Sequence, residues 1–135
     1  MIVDPLYEVV IGAAIAVHRG LGPGLLELTY SRYLAYQLAD RNLRVEVDKP
    51  VPIIYRNLKV ENAYKIDMLV ENSIVIELKA VERVERLHIA QLLTYLKLTG
   101  YQVGLLLNFN VPVMKDGIRR LTNQMGPPPH LSSSL

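Results

Sequence analysis

The sequence predicts a single α/β domain of the mixed α+β kind, in which a mixed central β-sheet is flanked by helices. Two observations lead to this prediction, and a third limits the chemistry of the domain. The hydrophobic periodicity changes along the chain in the order helix, helix, strands, helix, strand. Half of the 135 residues are hydrophobic, which is enough for one substantial core in a chain too short for two comfortable domains. Cysteine is absent, which excludes disulfides and thiolate metal sites.

The N-terminal part of the chain has two helical patterns separated by a glycine-rich break. Asp4 is suited to cap a helix and Pro5 to occupy its first position, and apolar residues continue at helical spacing to an expected end near His18. The segment 20–24, Gly-Leu-Gly-Pro-Gly, ends this pattern. A second helix is expected from about residue 25 to about residue 41.

A glutamate lies on the apolar stripe of this second helix. At about 3.6 residues per turn, Glu27 shares a stripe with Tyr30, Leu34 and Leu38, so its side chain is expected on the inward-facing side. The alternative is a solvated glutamate at the helix start, favoured there by the macrodipole, which is the commoner arrangement. The periodicity leaves both arrangements open.

The rest of the chain alternates between strand-like and helical patterns. Residues 43–55 are rich in valine, isoleucine and proline and predict one or two short strands, which Pro50 and Pro52 restrict to an edge or an irregular start. Three later elements are predicted: a helix over 87–99 that Gly100 ends, a buried strand within 101–109, and a short edge element within 111–121.

Residues 65–79 predict a β-hairpin with one polar and one apolar face. Two apolar runs surround Glu71-Asn72-Ser73, the polar cluster expected at a turn. With Asn72 at the centre, Asp67 falls opposite Glu77, and alternate side chains point to opposite faces. Asp67, Glu77 and Lys79 then share a face. The opposite face is wholly apolar and consists of Ile66, Met68, Val70, Ile74, Ile76 and Leu78.

Two carboxylates placed opposite each other repel, by about 4 kcal/mol at 4 Å and an effective dielectric near 20. A shared proton, the ammonium of Lys79 or a divalent cation would offset this repulsion, and carboxylates are the hard oxygen ligands that magnesium prefers. The alternative is that Lys79 simply neutralises two solvated carboxylates. Leu69 and Val75 lie on the same face, which indicates that this face is at least partly covered. Because covering charged groups costs free energy, a functional site is favoured over solvated carboxylates.

Composition and the remaining segments suggest a soluble cytoplasmic protein without a membrane partner. The N-terminus lacks the basic region of a signal peptide, and the apolar run 9–17 is too short to span a bilayer. The net charge of +2 is compatible with a nucleic-acid partner without demonstrating one. We expect one domain over 1–125 and a flexible Pro/Ser-rich tail over 126–135. The histidines, His18, His88 and His130, lack zinc-ligand spacing and are expected at the surface or in helix caps.

Four motifs occur in order along the chain. Residues 24–30, Gly-Leu-Leu-Glu-Leu-Thr-Tyr, match a GxxExxY signature, and Asp67 followed by Glu77-Leu78-Lys79 fits a D…ExK core. Residues 90–96 fit a QxxxY helix and residues 104–109 resemble the closing strand that follows it. Together, from about Tyr7 to Leu121, these motifs resemble the GxxExxY family, a small bacterial and archaeal family within the PD-(D/E)XK nuclease superfamily.

The resemblance implies a fold and a set of roles. The fold would be a restriction-endonuclease-like core of αβββαβ order with an extra N-terminal helix. Glu27, Asp67, Glu77 and the backbone carbonyl of Leu78 would bind Mg²⁺, with Mn²⁺ as a substitute. Lys79 would position the attacking water and stabilise charge on the phosphorus. The substrate-binding residues would be Gln91, Tyr95 and Tyr30.

The function implied is a Mg²⁺-dependent nuclease that hydrolyses phosphodiester bonds, with DNA as the first candidate substrate and RNA left open. The alternative is a non-catalytic nucleic-acid-binding or protein-assembly module that retains a nuclease fold, since a fold does not guarantee a function. A further alternative is that activity requires a homodimer or a partner protein. The high apolar content permits self-association without establishing it.

Overall fold

Three α-helices, five strands and one 3-10 helix make up residues 4–123, the part of the chain that the computed structural model describes. In chain order they are α1 (Pro5–Leu21), α2 (Glu27–Asp40), β1 (Val45–Tyr55), β2 (Leu58–Val70), β3 (Ile74–Lys79), α3 (Arg86–Thr99), β4 (Val103–Asn108), the 3-10 helix (Met114–Gly117) and β5 (Ile118–Thr122). This order confirms the predicted αβββαβ arrangement with an extra N-terminal helix. The predicted tail, the domain boundary at 125 and His130 lie outside the described residues.

The five strands form one mixed sheet in the order β1-β2-β3-β4-β5. The β3–β4 pair is parallel, with α3 as the crossover between them, and the other pairs are antiparallel. The proline-containing strand β1 lies at one edge, where a missing amide hydrogen costs least, and β5 lies at the other edge. The mixed sheet and the positions of both edge elements are as the sequence predicts, but β1 is one strand of 11 residues instead of one or two short strands.

Helix ends follow local residue chemistry. The side chain of Asp4 accepts a hydrogen bond from the amide of Leu6 at 3.0 Å, and Pro5 occupies the first helical position. Helix α1 continues to Leu21, past the end expected near His18, and stops at Gly22, whose φ of 74° a glycine adopts without strain. Helix α3 ends at Gly100, which has left-handed backbone angles as predicted.

The sheet separates two hydrophobic clusters. Residues of α1 and α2 pack with five side chains of the predicted apolar hairpin face: Met68, Val70, Ile74, Ile76 and Leu78. On the opposite face, Leu69 and Val75 pack with residues of α3. The polar face of the hairpin is therefore covered in part by α3, as its two apolar residues predict.

Ile66 departs from the predicted alternation. The sequence pattern places it beside Met68 and opposite Leu78, but it packs with Leu69 on the other face of the sheet.

The backbone around Asp67 explains this departure. The ladder between β2 and β3 runs from the pair Val70–Ile74 to the pair Met68–Ile76 and does not continue at Asp67. On β1, Asp48 lies at the same level, between the pairs Val47–Met68 and Lys49–Ile66, with a left-handed φ of 49°. Because both strands are irregular here, the side-chain alternation slips by one position.

The prediction that the histidines lie at the surface or in helix caps is confirmed for His88 and wrong for His18. His88 is the predicted capping residue: its Nδ1 accepts a hydrogen bond from the amide of Glu85 at the start of α3, at 3.0 Å. His18 is neither a surface nor a capping residue, since it is only 6 % exposed and its Nε2 is hydrogen-bonded to the carbonyl of Val111 at 2.7 Å. The helix pattern could not reveal this contact because its partner lies 93 residues away.

No helix of residues 4–123 combines the length and the apolar character needed to cross a membrane.

Gly117 is required by close packing against the end of β4. A Cβ atom at this position would lie 2.0 Å from the carbonyl oxygen of Asn108, a backbone atom that cannot move aside cheaply. We expect Gly117→Ala to destabilise the protein by about 3 kcal/mol in urea unfolding. Gly12→Ala is the control, because nothing lies within 4 Å of its Cβ in the interior of α1, and it should stabilise by about 0.5–1 kcal/mol. Equal effects of the two substitutions would contradict this packing.

Candidate active site

Asp67 and Glu77 form a partly covered carboxylate pair on neighbouring strands. The amide of Leu78 donates a hydrogen bond to Asp67 Oδ2 at 2.9 Å, so a carboxylate takes the place of the backbone acceptor where the ladder stops. Glu77 is only 9 % exposed, and its Oε1 is buried without a hydrogen-bond partner in the part of the chain described here. A buried carboxylate oxygen with no partner is costly, and such a cost is typical of functional sites.

The electrostatics of the pair match this geometry. Burial, followed by the charge of Asp67, raises the pKa of Glu77 to about 7. The ammonium of Lys79, the backbone amide of Asp67 and the hydroxyl of Tyr64 each offset part of that rise. Burial also raises the pKa of Asp67, while the Leu78 amide and Lys79 oppose it. The two carboxylates therefore repel as the sequence predicts, and near neutral pH the pair holds a proton readily.

Glu27 reaches the same site from α2. It is the first residue of the helix and is largely exposed, whereas Tyr30, Leu34 and Leu38 of its stripe are buried. Partial burial and the charge of Asp67 raise the pKa of Glu27, and Lys79, the backbone amide of Ala80 and His88 lower it. The side chain thus combines the two arrangements left open by the sequence: it is solvated at the helix start, and it faces Asp67.

Lys79, at the end of β3, lies among the three carboxylates. Its ammonium is among the causes that lower the pKa of Glu27, of Asp67 and of Glu77. Within residues 4–123 it makes no direct ion pair with any of them. A partly covered cation that is not tied to one carboxylate is free to contact an anionic substrate.

The segment after Lys79 is fixed by Asn108, a residue that the sequence analysis did not single out. Its side chain accepts a hydrogen bond from the amide of Val81 at 3.1 Å and donates one to the Val81 carbonyl at 2.9 Å. The amide of Phe109 also donates to the carbonyl of Lys79, at 2.9 Å. The ends of the parallel strands β3 and β4 are thereby joined beside the carboxylates. An asparagine at the end of an apolar run is the only sequence signal for this role.

Gln91 and Tyr95 lie on one face of α3 and line a groove with Tyr64 of β2. The rings of Tyr64 and Tyr95 are stacked, with centroids 4.4 Å apart. Burial and the neighbouring charge of Glu77 raise the pKa of Tyr64 above its usual range. The structure therefore brings Tyr64 and Tyr95 near Glu77, and it places Gln91 in the groove that these two tyrosines line.

Sequence reasoning missed Tyr64. Strict alternation along β2 would place Tyr64, three residues before Asp67, on the face opposite to Asp67. The slip in alternation described above turns Tyr64 and Ile66 to the side of Leu69 and Val75. No pattern within β2 alone signals that slip.

The structure does not bring Tyr30 to the carboxylates. It is fully buried and its ring stacks on Phe109, with centroids 4.6 Å apart. Its hydroxyl donates to the carbonyl of Gly22 at 2.6 Å and accepts from the amide of Leu25 at 3.1 Å. Tyr30 thus fixes the loop that leads into α2, and through that loop the position of Glu27.

The donor set suits a hard cation, although a complete cage is not formed. Within residues 4–123, no three histidine, cysteine, aspartate or glutamate side chains are arranged to hold a metal ion. Mg²⁺ is usually held by one or two carboxylates together with waters and substrate phosphates, so a full protein cage is not required. Asp67 and Glu77 supply two carboxylates, and Oε1 of Glu77, which accepts no hydrogen bond from any described residue, is available as a ligand. The residues present therefore fit a magnesium ion.

The raised pKa of Glu77 predicts that its charge destabilises the metal-free fold. Its ordinary pKa is 4.5 and its folded pKa about 7, so this group's contribution to stability is complete below pH 4.5 and is lost as the pH rises through 7. Glu77→Gln carries no charge and should be more stable than the wild type at about pH 8, by up to about 3 kcal/mol. At about pH 4 the two proteins should be equally stable.

Urea unfolding in a chelator at both pH values measures this difference. Glu82→Gln, at an exposed glutamate, is the matched control and should change the free energy of unfolding by less than about 0.5 kcal/mol. A Glu77→Gln variant that is less stable than the wild type at about pH 8 would contradict the assigned repulsion.

Comparison with known proteins agrees with this geometry. A family model described as PD-(D/E)XK nuclease superfamily matches residues 4–121, which includes every candidate site residue. Searches of the curated proteins and of the solved structures gave no significant match.

Proposed function

Since the chain belongs to the PD-(D/E)XK nuclease superfamily, we propose that it is a Mg²⁺-dependent nuclease of the GxxExxY family that hydrolyses phosphodiester bonds in DNA. The observation that carries the proposal is the partly covered pair of Asp67 and Glu77, in which one carboxylate oxygen has no hydrogen-bond partner among residues 4–123. A nuclease superfamily implies a nucleic-acid substrate, and DNA is our first candidate within that class.

Four oxygen donors would hold the cation: Glu27, Asp67, Glu77 and the backbone carbonyl of Leu78. When bound, Mg²⁺ polarises the phosphodiester, lowers the pKa of a bound water and stabilises the leaving oxygen. Lys79 positions the attacking water and stabilises negative charge that develops on the phosphorus. Its place among three carboxylates, without a direct ion pair to any residue of the described part of the chain, supports this role. Glu77 must be ionised to act as a donor, so the activity should rise with pH through about 7.

The remaining candidate residues act around this centre. Gln91 and Tyr95 line the groove next to Glu77 and are suited to hold the nucleotide that carries the scissile phosphate. Tyr30 contributes through the 22–25 loop, by holding the start of α2 so that Glu27 faces Asp67.

Cleavage assays test this proposal. Single-stranded DNA, duplex DNA and RNA are each incubated with the protein in Mg²⁺, in Mn²⁺ and in a chelator. We expect products in both metals and none in the chelator, with DNA cleaved faster than RNA. The absence of products from every substrate in either metal would refute the proposal for the chain acting alone.

A non-catalytic nucleic-acid-binding or protein-assembly module is the second candidate. One observation favours it: the described residues hold no preformed group of three metal-binding side chains. This candidate predicts that nucleic acid binds without cleavage and that Glu77→Gln leaves binding unchanged.

A further inference from the structure

A groove of about 230 Å³ lies beside the carboxylate pair, lined by β1, β2 and α3. Its helix wall is a single stripe of α3 that includes Ala90, Gln91, Thr94 and Tyr95, at helical spacing. Ile53 of β1 and Tyr64 of β2 form the facing wall. Most of these surfaces are apolar or aromatic, and Gln91 and Thr94 add a few polar groups.

Tyr64 belongs to both the groove and the candidate active site. Its ring lines the groove and stacks on Tyr95, with centroids 4.4 Å apart, while its hydroxyl acts on Glu77. A group bound in the groove would therefore be separated from the carboxylates by one side chain. A nucleotide has one group for each of these two places, because its base and its phosphate are joined through a single sugar.

We propose that this groove binds one unpaired nucleobase of a single-stranded nucleic acid, with the adjoining phosphate at Asp67 and Glu77. The inference rests on the proposed nuclease function and names its substrate class. Bases stack on aromatic side chains irrespective of sequence, whereas a base inside a duplex is covered on both faces and must first be unstacked.

The size and chemistry of the groove support this occupant. Its volume of about 230 Å³ lies below the roughly 300–1,000 Å³ of pockets that hold drug-sized ligands, which favours a single flat ring system. Gln91 has an amide that both donates and accepts, as the edge of a base requires. Thr94, which also lines the groove, adds a hydroxyl that donates and accepts hydrogen bonds.

A groove-filling substitution tests the proposal. Ala90 and Leu93 are both exposed positions of α3, but only Ala90 lines the groove. Ala90→Trp therefore fills the groove, and Leu93→Trp is the matched control on the same helix. Binding is measured in Ca²⁺, a hard cation that carboxylate and phosphate oxygens coordinate, and separately in a chelator, with the oligonucleotides checked for integrity afterwards. The ligands are single-stranded DNA and RNA oligonucleotides that carry the fluorescent base 2-aminopurine, and the corresponding duplexes.

We expect the wild type and Leu93→Trp to bind the single strands more tightly than the duplexes and to quench the 2-aminopurine. Ala90→Trp should weaken single-strand binding by about 5- to 150-fold, the range for loss of one stacked base, with little effect on duplex binding. An abasic oligonucleotide should weaken binding by the wild type and make little further difference to Ala90→Trp. Circular dichroism and thermal unfolding confirm that both variants fold.

Each of three results would overturn the proposal. Ala90→Trp and Leu93→Trp could have equal effects, the 2-aminopurine could stay unquenched on binding, or an abasic site could leave the affinity of the wild type unchanged. Cleavage assays in Mg²⁺ are run separately. Groove-dependent binding without cleavage would support the groove and refute the nuclease function. Cleavage that Ala90→Trp leaves unchanged on every substrate would refute the groove and support the nuclease function.

Discussion

Replacing Asp67 with alanine or asparagine is expected to abolish cation-dependent cleavage, with a loss of about 10³-fold or more. The two variants separate charge from structure. Asp67→Ala also removes the acceptor of the Leu78 amide, which costs about 1–3 kcal/mol for an unpaired buried group. Asp67→Asn keeps an oxygen for that hydrogen bond and removes only the negative charge. Equal loss of activity in both variants would therefore assign the effect to the charge.

Asp48→Asn is the matched control for Asp67→Asn. Asp48 lies level with Asp67 on β1 and raises its pKa, but it is exposed and is not among the proposed ligands. Its left-handed φ of 49° is one that asparagine adopts readily. We expect its cleavage rate to stay within about threefold of the wild type, since it removes a charge without removing a ligand. Full activity in Asp67→Asn, or equal losses of activity in Asp67→Asn and Asp48→Asn, would show that Asp67 is not a ligand of the site.

Lys79→Met should lower the cleavage rate by about 10²- to 10³-fold while leaving the protein folded. Methionine keeps most of the apolar stem and removes the ammonium. That ammonium lowers the pKa of Glu27, Asp67 and Glu77, so its loss raises all three. The remaining activity should therefore require a higher pH than that of the wild type, because the carboxylates ionise later. Cleavage rates across a pH series measure both effects.

Lys65→Met is the control for Lys79→Met. Lys65 also lowers the pKa of Asp67, but it is the smallest of the causes and it is not among those that act on Glu27 or Glu77. We expect its activity to fall by less than about threefold, because Lys65 is exposed and acts on only one of the three carboxylates. A Lys79→Met variant with the rate and pH profile of Lys65→Met would show that Lys79 only neutralises solvated carboxylates.

Much of the fold can be predicted from the sequence because its patterns are local. The register of the β2–β3 hairpin follows from two apolar runs placed symmetrically about Asn72, and Val70 indeed pairs with Ile74. The helix limits at Asp4 and Gly100 follow from cap chemistry that one or two residues determine.

The rest depends on contacts between distant segments. The side chains of Ile66 and Tyr64 lie on the opposite face from the predicted one because β1 and β2 are irregular at the same level. The sequence of each strand alone predicts a regular alternation of side chains. His18 is buried against Val111, and Asn108 holds Val81, in contacts that no periodicity within one element encodes. Tyr30 lies on the predicted inward stripe of α2, but that stripe does not distinguish the core from a substrate site.

The charged residues of the candidate site could be predicted from the sequence, but the residues around them could not. The sequence indicated Asp67, Glu77 and Lys79 because they place three charges on a hairpin face that also carries apolar residues. Covering charges costs free energy, so such an arrangement suggests a function. Glu27 is brought to the same charges, although it is more exposed than the rest of its stripe. Tyr64, which connects Glu77 to the groove on α3, emerges only from the three-dimensional arrangement.

The central claim, that Asp67 and Glu77 form a cation site for cleaving nucleic acid, is tested most directly by calorimetry. Mg²⁺ and Mn²⁺ are titrated into wild type and Asp67→Ala at about pH 8, above the pKa of about 7 for Glu77, and the samples are then incubated with single-stranded DNA, duplex DNA and RNA. We predict metal binding and cleavage by the wild type, both lost in Asp67→Ala. A wild type that binds neither metal, with or without nucleic acid, would contradict the claim.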